Sequence, residues 1–455
     1  MIYDVAIVGS GIGGYPAALY LADKGLRVAI VEKHLVGGEC TNYGCVPSKA
    51  LYDFAESLKN VEKLGSRVDY DWQDLMEWIK NTVQETRGGL ETLLESRDVT
   101  LVRGQAFLKG PGRLLVSNIN KSEELEADKL ILALGTDPAE IPSARFDGKG
   151  IVSNREAFYL LEKPEKVLII GGGIIGVELA NMYSALGVEV TIVELLEHIL
   201  PFTDRDIAVA LRTYLMQRGV KVIEKTAVQK LGHTHGKYTA DLSNGQRLEI
   251  DKVIVAVGRK PKTGEMGLET LLQLDEKGFI KVNDRLETSM PGVYACGDVI
   301  GGPLLAHKAL LESIAVAKRI NQEESFTVNY QLVPTTIFSG LEIASIGYTE
   351  KDLLAKGVKY TKVKLPLYYM AKIKIKGHKN SFIKILLDDR REKILGLHLV
   401  SPNASEIVSA YIPVYIGRMK LEEVARTPYP HLTLSESLRD LAEYIIGTPK
   451  HLLKK

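Results

Sequence analysis

The feature that most constrains the fold is a strand–glycine loop–helix–strand unit that occurs twice in the sequence. In the first copy, an apolar run over 3–8 leads into G-x-G-x-x-G, a helical segment ends near Gly25, and a second strand over 27–31 is closed by an acid. The second copy starts at Lys166, and the first glycine and the acid are 23 positions apart in both copies. The glycines and acid are Gly9, Gly11, Gly14 and Glu32 in the first copy and Gly171, Gly173, Gly176 and Glu194 in the second. The repetition predicts an α/β chain with two Rossmann-like dinucleotide-binding domains.

Each part of this unit has a physical role in holding a dinucleotide. The first glycine allows a tight turn, the second lets the backbone approach a pyrophosphate, and the third lets the helix pack closely on the strand. The helix N-terminus favours the phosphates, and the acid accepts hydrogen bonds from ribose hydroxyls. An isolated G-x-G-x-x-G can be merely a tight turn, but two complete units at one spacing favour two binding sites. We expect NAD rather than NADP at the second site, because Glu194 would repel a 2′-phosphate and no arginine follows it before Arg205.

Composition and charge narrow the class of protein. The 455 residues are 45% hydrophobic and 25% charged, as in ordinary soluble globular proteins of several domains. A net charge of +1 gives no reason to expect nucleic acid or an acidic membrane surface as a partner. The N-terminal sequence lacks the features of a signal peptide, and no apolar run reaches the ~18 residues that span a membrane. We therefore expect a cytoplasmic enzyme, since three cysteines are too few for a secreted disulfide scaffold.

Two of the three cysteines, Cys40 and Cys45, lie five positions apart in GGECTNYGCVPSK. In a regular helix, Cα atoms at that separation would be about 8.6 Å apart, beyond the roughly 7 Å that a disulfide allows. Gly44 could supply the distortion that closes the gap, and the helix predicted after Pro47, together with Lys49, would favour a thiolate. Two buried small side chains or a metal site are the alternatives, although no second ligand pair lies nearby. With two dinucleotide sites in the chain, a redox-active disulfide is favoured.

The first dinucleotide site is predicted to hold FAD. The segment 288–298, TSMPGVYACGD, resembles the second flavin signature of flavoproteins with two dinucleotide sites. Asp298 is then the partner of the ribityl and pyrophosphate side of the flavin, although an aspartate after Gly297 could also be an ordinary turn residue.

The segment GGECTNYGCVPSK also resembles the active-site signature of the class I pyridine nucleotide-disulfide oxidoreductases, G-G-x-C-x4-C-(Ile/Val)-P-S-K. The resemblance covers nearly the whole chain and includes GGGIIGVE, AVGRKP, ACGD, LAHKA and PHLTLSES. It implies a FAD-binding domain over 1–143, a NAD-binding domain over 144–264, a central domain over 265–332 that completes the FAD site, and an α+β C-terminal dimerisation domain over 333–455. It also implies a homodimer, because the family places a histidine of one subunit against the disulfide of the other.

The resemblance implies roles for individual residues. Cys40 is the interchange thiol, Cys45 is the thiol nearer the flavin, and Lys49 lies near the flavin ring, paired with Glu178. The acid–base group that deprotonates the attacking dithiol is a histidine, because histidine titrates near neutral pH and a carboxylate can orient it. The histidine and its carboxylate are His431 and Glu436, and the other expected cofactor-binding residues are Gly135, Gly258, Gly297, Asp298 and Ala306, besides the glycines and acids of the two repeats.

Several residues depart from the family pattern at the site. Glu39 stands where threonine is usual, Tyr43 where valine is usual, Leu134 for the threonine of A-T-G, and Leu432 where proline follows the base. A carboxylate at Glu39 could raise the pKa of the neighbouring thiol or alter access to it. These departures leave the identity of the disulfide substrate open.

The resemblance is strongest to members that oxidise dihydrolipoamide through the disulfide and FAD, with hydride transfer to NAD+. The expected partner is dihydrolipoamide or the lipoyl domain of a 2-oxoacid dehydrogenase complex or glycine cleavage system, and no metal is expected. The alternative is a related NAD(P)H:disulfide reductase acting on another small disulfide. Glutathione disulfide is disfavoured, because Leu19 and Tyr20 replace the arginines that hold its carboxylates. Two local expectations are a half-buried strand over 371–377, from its alternating lysines and isoleucines, and a buried structural Cys296.

Overall fold

The computed structural model describes residues 2–119, 121–234, 236–391 and 393–452. The chain forms two compact units. The first comprises Met1–Phe54, Val68–Lys163 and Val257–Val328, and the second comprises Ala55–Arg67, Pro164–Ala256 and Asn329–Lys455. Among the described residues, no helix has the length and apolar character needed to cross a membrane.

Strands and helices alternate in the two β–α–β units, whereas consecutive strands occupy 100–152 and 221–261. The strands are β1 Ile2–Val8, β2 Val28–Glu32, β3 Thr100–Arg103, β4 Gln105–Gly110, β5 Arg113–Ser117, β6 Ser122–Leu132, β7 Thr136–Pro138, β8 Ile151–Val152, β9 Lys166–Ile170, β10 Glu189–Val193, β11 Lys221–Ile223, β12 Val228–Thr234, β13 Lys237–Leu242, β14 Arg247–Ile250, β15 Lys252–Val255, β16 Arg259–Pro261, β17 Val293–Ala295, β18 Thr335–Ile337, β19 Ile343–Gly347, β20 Thr361–Pro366, β21 Phe382–Leu387 and β22 Ile394–Val400. The helices are α1 Tyr15–Asp23, α2 Gly38–Tyr43, α3 Cys45–Glu62, α4 Trp72–Glu95, α5 Asn154–Ala157, α6 Ile174–Ala185, α7 Arg205–Gln217, α8 Ala306–Ile320, α9 Glu350–Ala355, α10 Ala371–Lys376, α11 Ala404–Tyr415, α12 Leu421–Arg426 and α13 Glu436–Ile445. Short 3-10 helices span Gly264–Met266, Leu268–Thr270, Gly297–Ile300 and Tyr330–Leu332.

The first unit is built on a mixed sheet in the order β3-β2-β1-β6-β5-β4, with β17 also paired to β6. Strands β1, β2, β3, β6 and β17 run parallel, whereas β4 and β5 extend the sheet antiparallel. The near-continuous apolar runs of β1 and β2 are typical of strands buried on both faces, and helix α1 connects them as predicted. This arrangement brings the first glycine loop to the carboxyl end of β1, where ligands of such sheets bind.

The second unit repeats the same parallel core in the order β11-β10-β9-β15. Strands β9 and β10 with helix α6 occupy the places that β1, β2 and α1 have in the first unit. The internal repeat of the sequence is therefore a repeat of the fold. A separate antiparallel sheet, β12-β13-β14, follows helix α7 and strand β11.

The C-terminal part of the second unit contains an antiparallel sheet in the order β18-β19-β22-β21-β20. Helices α11 and α13 contribute to the apolar core against this sheet, with Tyr411 and Leu441 buried among its strand residues. Helix α13 is strongly amphipathic, and its first residue is Glu436, one of the predicted site residues.

The predicted strand over 371–377 is wrong, because these residues form helix α10. Met370 and Ile373 are buried at helical spacing, whereas Ile375 is exposed. Gly377 ends the helix at φ +79°, and its N–H donates to the carbonyl of Ile373. The prediction that Cys296 is buried is confirmed: its side chain lies in the core and contacts the carbonyl of Gly13 at 3.0 Å.

Candidate active site

Cys40 and Cys45 form a disulfide with their Cα atoms 4.6 Å apart. Helix α2 ends at Tyr43 and helix α3 begins at Cys45, so the helical path is broken at Gly44, as the spacing of the cysteines required. A Cβ added at Gly44 would lie 3.2 Å from the carbonyl oxygen of Glu39, which is tighter than most such contacts. The break therefore depends on glycine.

The disulfide segment packs directly on the first glycine loop. Gly38 has φ +60°, and a Cβ there would lie 2.8 Å from the Cα of Gly11. On the other side of the loop, a Cβ at Gly13 would lie 3.5 Å from the Cα of Gly297. Within the first unit, three segments that the sequence singled out separately thus meet around one loop.

The two repeat acids are held by the same pattern of backbone hydrogen bonds. Glu32 accepts from the Ser10 N–H at 3.0 Å and the His34 N–H at 2.8 Å, and also from the Ser10 hydroxyl at 2.7 Å. Glu194 accepts from the Gly172 N–H at 2.6 Å and the Leu196 N–H at 2.7 Å. Each carboxylate is fixed against the residue after the first motif glycine. These backbone N–H groups fix the carboxylate in place, which suits an acid that accepts hydrogen bonds from the hydroxyls of a dinucleotide ribose.

The motif glycines satisfy steric needs that are alike in the two loops. Gly9 and Gly171 have φ values of +101° and +106°, which favour glycine. A Cβ at Gly14 or Gly176 would collide with the carbonyl oxygen of the first glycine of its own loop. Around Gly173, the described residues leave the space within 4 Å of such a Cβ open. The steric roles expected from the motif therefore apply in both copies.

A buried ion pair supports the turn that carries Gly297 and Asp298. Lys308 donates to the carbonyls of Gly297 at 3.0 Å and Gly301 at 2.7 Å, and Glu312 accepts from the Gly297 N–H at 2.7 Å. Both charged side chains are fully buried and lie 3.2 Å apart on helix α8, which begins at Ala306. Sequence reasoning missed their role, although Lys308 lies inside the LAHKA motif.

Asp298 is connected to the paired strands β7 and β16. Burial raises its pKa, against the opposing charges of Lys308 and Arg259. The Thr136 hydroxyl lies 3.4 Å from its carboxylate, and Arg259 donates to the same hydroxyl at 2.7 Å. Gly135 and Gly258 immediately precede the two strands, with φ values of +69° and +135°.

Glu39, the departure next to Cys40, is held by three neighbouring side chains. Its Oε2 accepts two hydrogen bonds from Arg155 at 2.9 and 2.7 Å, and its Oε1 lies 3.0 Å from Arg259 and accepts from Asn154 at 3.1 Å. Burial alone would raise the pKa of Glu39, but the charge of Arg259 and the hydrogen bonds of Arg155 hold it below the ordinary value. No local sequence signal joined these residues.

His431 and Glu436 lie together as predicted. His431 Nδ1 is 3.1 Å from Glu436 Oε2, and the Thr433 N–H donates to Oε1 at 2.8 Å. Burial would raise the pKa of Glu436, but the hydrogen bonds from Thr433 and His431 lower it. The imidazole is 79% exposed, whereas the carboxylate is only 7% exposed. The His431–Leu432 peptide is cis.

Lys49 belongs to the first unit and Glu178 to the second. Lys49 lies in helix α3 and donates to the Ser48 hydroxyl at 3.3 Å. Glu178 is buried in helix α6, where its Oε1 accepts from the Phe338 N–H at 2.9 Å. Their pairing stays a prediction.

Comparison with known proteins identifies the family. The family model "Pyridine nucleotide-disulphide oxidoreductase" matches residues 3–313, and the dimerisation domain of that family matches residues 333–442. The chain belongs to the pyridine nucleotide-disulphide oxidoreductases. The predictions of the family, the fold class and an enzyme using FAD and NAD are thereby confirmed.

Individual relatives of this oxidoreductase cover its whole length. It is 35% identical to dihydrolipoyl dehydrogenase of Trypanosoma brucei brucei, over 96% of this chain and 95% of the relative. It is 36% identical to dihydrolipoyl dehydrogenase of Thermus scotoductus, over 100% and 99%. Among solved structures, LpdA of Mycobacterium tuberculosis matches with a TM-score of 0.90 and 26% identity, over 97% and 99%. The HOCl-induced flavoprotein disulfide reductase RclA of Escherichia coli matches with a TM-score of 0.87 and 26% identity, over 97% and 99%.

Proposed function

We propose that this oxidoreductase is a dihydrolipoyl dehydrogenase, which oxidises dihydrolipoamide to lipoamide and reduces NAD+ to NADH with release of a proton. The observation that carries the proposal is the Cys40–Cys45 disulfide packed on the first glycine loop through Gly38 and Gly11. The full-length similarity to dihydrolipoyl dehydrogenases supports it.

In the first half-reaction, a substrate thiolate attacks the sulfur of Cys40 and displaces the thiolate of Cys45. The second substrate thiolate then displaces Cys40, so that lipoamide leaves and both cysteines are reduced. FAD held by the first glycine loop would supply the acceptor for the electron pair of the reduced cysteines and the donor of hydride to NAD+. Lys49 and Glu178 are proposed to form an ion pair beside the flavin ring.

The residues proposed to hold the cofactors fit these groups chemically. Glu32 and the first glycine loop, with Asp298, Gly297, Gly135 and Ala306, are proposed for FAD. Glu194 and the second loop, with Gly258, are proposed for NAD. The support is the shared backbone clamp on the two acids.

His431 is proposed to take the proton of the substrate thiol. An ionised carboxylate only accepts hydrogen bonds, so the bond to Glu436 requires a proton on Nδ1 of His431. In the neutral imidazole, Nε2 then carries no proton and can accept the proton of the thiol. The high exposure of the imidazole suits a group that serves the disulfide of a second subunit. A homodimer is therefore part of the proposal, and the match to the dimerisation domain supports it.

The physiological partner is proposed to be the lipoyl domain of a 2-oxoacid dehydrogenase complex or a glycine cleavage system, in the cytoplasm. The domain boundaries at 143, 264 and 332 are likewise proposed from the family resemblance. Stable co-purification with a lipoyl-bearing acyltransferase core would support the assembly role.

Reduction of another small disulfide by NAD(P)H is the second candidate. It is favoured by the close structural match to a flavoprotein disulfide reductase and by Glu39 and Tyr43 beside the cysteines.

Steady-state rates with dihydrolipoamide, glutathione disulfide and other small disulfides, each with NAD(H) and NADP(H), test both candidates. The proposal predicts the highest kcat/KM with dihydrolipoamide and NAD+. A much higher kcat/KM with another disulfide would reject it in favour of the second candidate.

A further inference from the structure

Helix α2, which carries Cys40, is held at both ends by one neighbouring element. Asn154 of helix α5 donates to Glu39 Oε1 at 3.1 Å and to the carbonyl of Tyr43 at 2.9 Å. Arg155, the next residue, donates twice to Glu39 Oε2 and lies 5.6 Å from the centre of the Tyr43 ring. Helix α2 is thus clamped at its first turn and at its last residue.

The clamp is itself fixed in place. A capping box at Ser153 orders helix α5. Arg155 also donates to Asp137 at 2.7 Å, and Lys262 lies 3.3 Å from the same carboxylate oxygen. Together with Arg259 beside Glu39, these cations surround the carboxylates of Glu39 and Asp137 in a half-buried cluster.

The same cluster connects the disulfide segment to the turn of Asp298. Arg259 lies 3.0 Å from Glu39 and donates to the hydroxyl and carbonyl of Thr136 at 2.7 and 2.9 Å. The Thr136 hydroxyl lies 3.4 Å from Asp298. A continuous polar path therefore runs from the residue before Cys40 to the expected flavin partner.

We propose that Glu39 is a positioning residue for the Cys40–Cys45 pair, and that its carboxylate serves this purpose only while Arg155 and Arg259 neutralise it. This inference rests on the proposed function in that it takes the pair as redox-active. When the disulfide opens, the clamp holds helix α2 where the two sulfurs can meet again. An unpaired Glu39 would repel the thiolate of the next residue, and the two guanidiniums cancel that repulsion.

The effect of these charges on thiolate formation at Cys40 distinguishes this role from that of a merely structural ion pair. Loss of Arg155 leaves a carboxylate without its two strongest donors, so thiolate formation at Cys40 should become harder. Loss of Glu39 leaves the guanidiniums unopposed, so thiolate formation should become easier. The two shifts should therefore be opposite in sign and sum to about zero in the double variant. Loss of either partner of a merely structural ion pair would disturb the segment in the same way and would give shifts of the same sign. Among the described residues, the charged and titratable groups around the segment include Glu39, Tyr43, His34, Lys49, Arg87, Asp137, Arg155, Glu156, Tyr159, Arg259, Lys262 and Asp298.

The test measures alkylation of Cys40 by iodoacetamide as a function of pH, in the flavin-loaded full chain carrying Cys45→Ser. Cys296 is fully buried, and peptide mass spectrometry confirms the modified site. Arg155→Gln should raise the midpoint of the pH–rate profile by about 0.5 to 1 pH unit. Glu39→Gln should lower the midpoint, and the double variant should return close to the parent.

The matched control is Arg87→Gln, which removes an equal charge from the same segment. Arg87 donates to the Asn42 side chain at 3.1 Å. Because Arg87 donates to Asn42, Arg87→Gln should shift the midpoint by less than Arg155→Gln does. Shifts of the same sign for Arg155→Gln and Glu39→Gln, or an unchanged or higher midpoint in Glu39→Gln alone, would overturn the inference. Glu39→Gln alone decides if Arg155→Gln does not fold. If the chain with Cys45 intact fails to turn over dihydrolipoamide while the Cys45→Ser series shows the opposite shifts, the proposed function is rejected and this inference is kept.

Discussion

Replacement of Glu436 by Gln tests the proposed acid–base pair with little change of shape. The carboxylate accepts from His431 Nδ1 at 3.1 Å and from the Thr433 N–H at 2.8 Å. A glutamine side chain has one accepting oxygen and one donating amino group. If the oxygen stays with Thr433, the amino group faces Nδ1, and the imidazole proton moves to Nε2. The imidazole then presents a donor where the substrate thiol needs an acceptor.

The expected loss follows from the strength of the bond removed. A hydrogen bond to a charged group contributes about 1.5 to 3 kcal/mol, which corresponds to roughly 10- to 150-fold in rate. His431 is 79% exposed, so solvent screening places the effect near the lower end. We expect Glu436→Gln to slow dithiol oxidation by about 10- to 30-fold, and His431→Ala by about 100-fold or more.

Stopped-flow absorbance measures the dithiol half-reaction and the reduction by NADH separately. Glu443→Gln is the matched control, because Glu443 is buried on the same helix and pairs with Lys450. It should leave the dithiol half-reaction unchanged. Equal slowing of both half-reactions by Glu436→Gln, or an equal effect of Glu443→Gln, would mean that Glu436 is structural and would refute the reasoning.

Two further predictions concern the stability of the second unit. Lys384 is fully buried with three carboxylate oxygens within 3.1 Å, so Lys384→Met should lower the free energy of unfolding by about 3 to 5 kcal/mol. Lys364→Met, at a partly exposed pair with Asp206, should cost at most about 1 kcal/mol, and similar urea midpoints for the two variants would contradict this. Burial and the charge of Lys384 lower the pKa of His398 from 6.5 to about 4, so its contribution to stability is present above pH 6.5 and is lost as the pH falls toward 4. The free energy of unfolding should therefore decrease between pH 6.5 and 4, and His398→Gln should make this decrease smaller by about 3 kcal/mol. An unchanged pH dependence of thermal unfolding in the variant would contradict this.

Local patterns were sufficient to predict the parts of the site that are made by neighbouring residues. The spacing of glycines and acid predicted both β–α–β units, because each motif residue answers a steric or hydrogen-bonding need within about 25 positions. The distance argument for the cysteines predicted a break in the helix, and it lies at Gly44. His431 and Glu436 are five positions apart, so the resemblance alone could pair them.

Long-range contacts were beyond the reach of those patterns. Arg155 and Glu39 are 116 positions apart, and the helix that carries Arg155 is only four residues long. The sequence identified Glu39 as a departure beside Cys40 but, for this reason, could not identify its partners. The segment 371–377 failed differently: alternating lysines and isoleucines fit a strand or a short helix, and the burial of Met370 and Ile373 with a glycine cap decided for the helix.

The two repeats show how one local motif can serve two kinds of cofactor site. In both, the acid accepts from equivalent backbone N–H groups, which supports the proposal that each holds a ribose in the same way. A difference lies at the middle glycine: a Cβ at Gly11 would lie 3.7 Å from the Cα of Gly38 in the disulfide segment, whereas the described residues leave open the space next to Gly173. The first loop therefore adjoins the cysteines, and this contact supports the proposal that it holds the flavin while the second loop holds the exchanging nucleotide. That assignment follows the proposed reaction, in which electrons enter through the disulfide and depart on the exchanging cofactor.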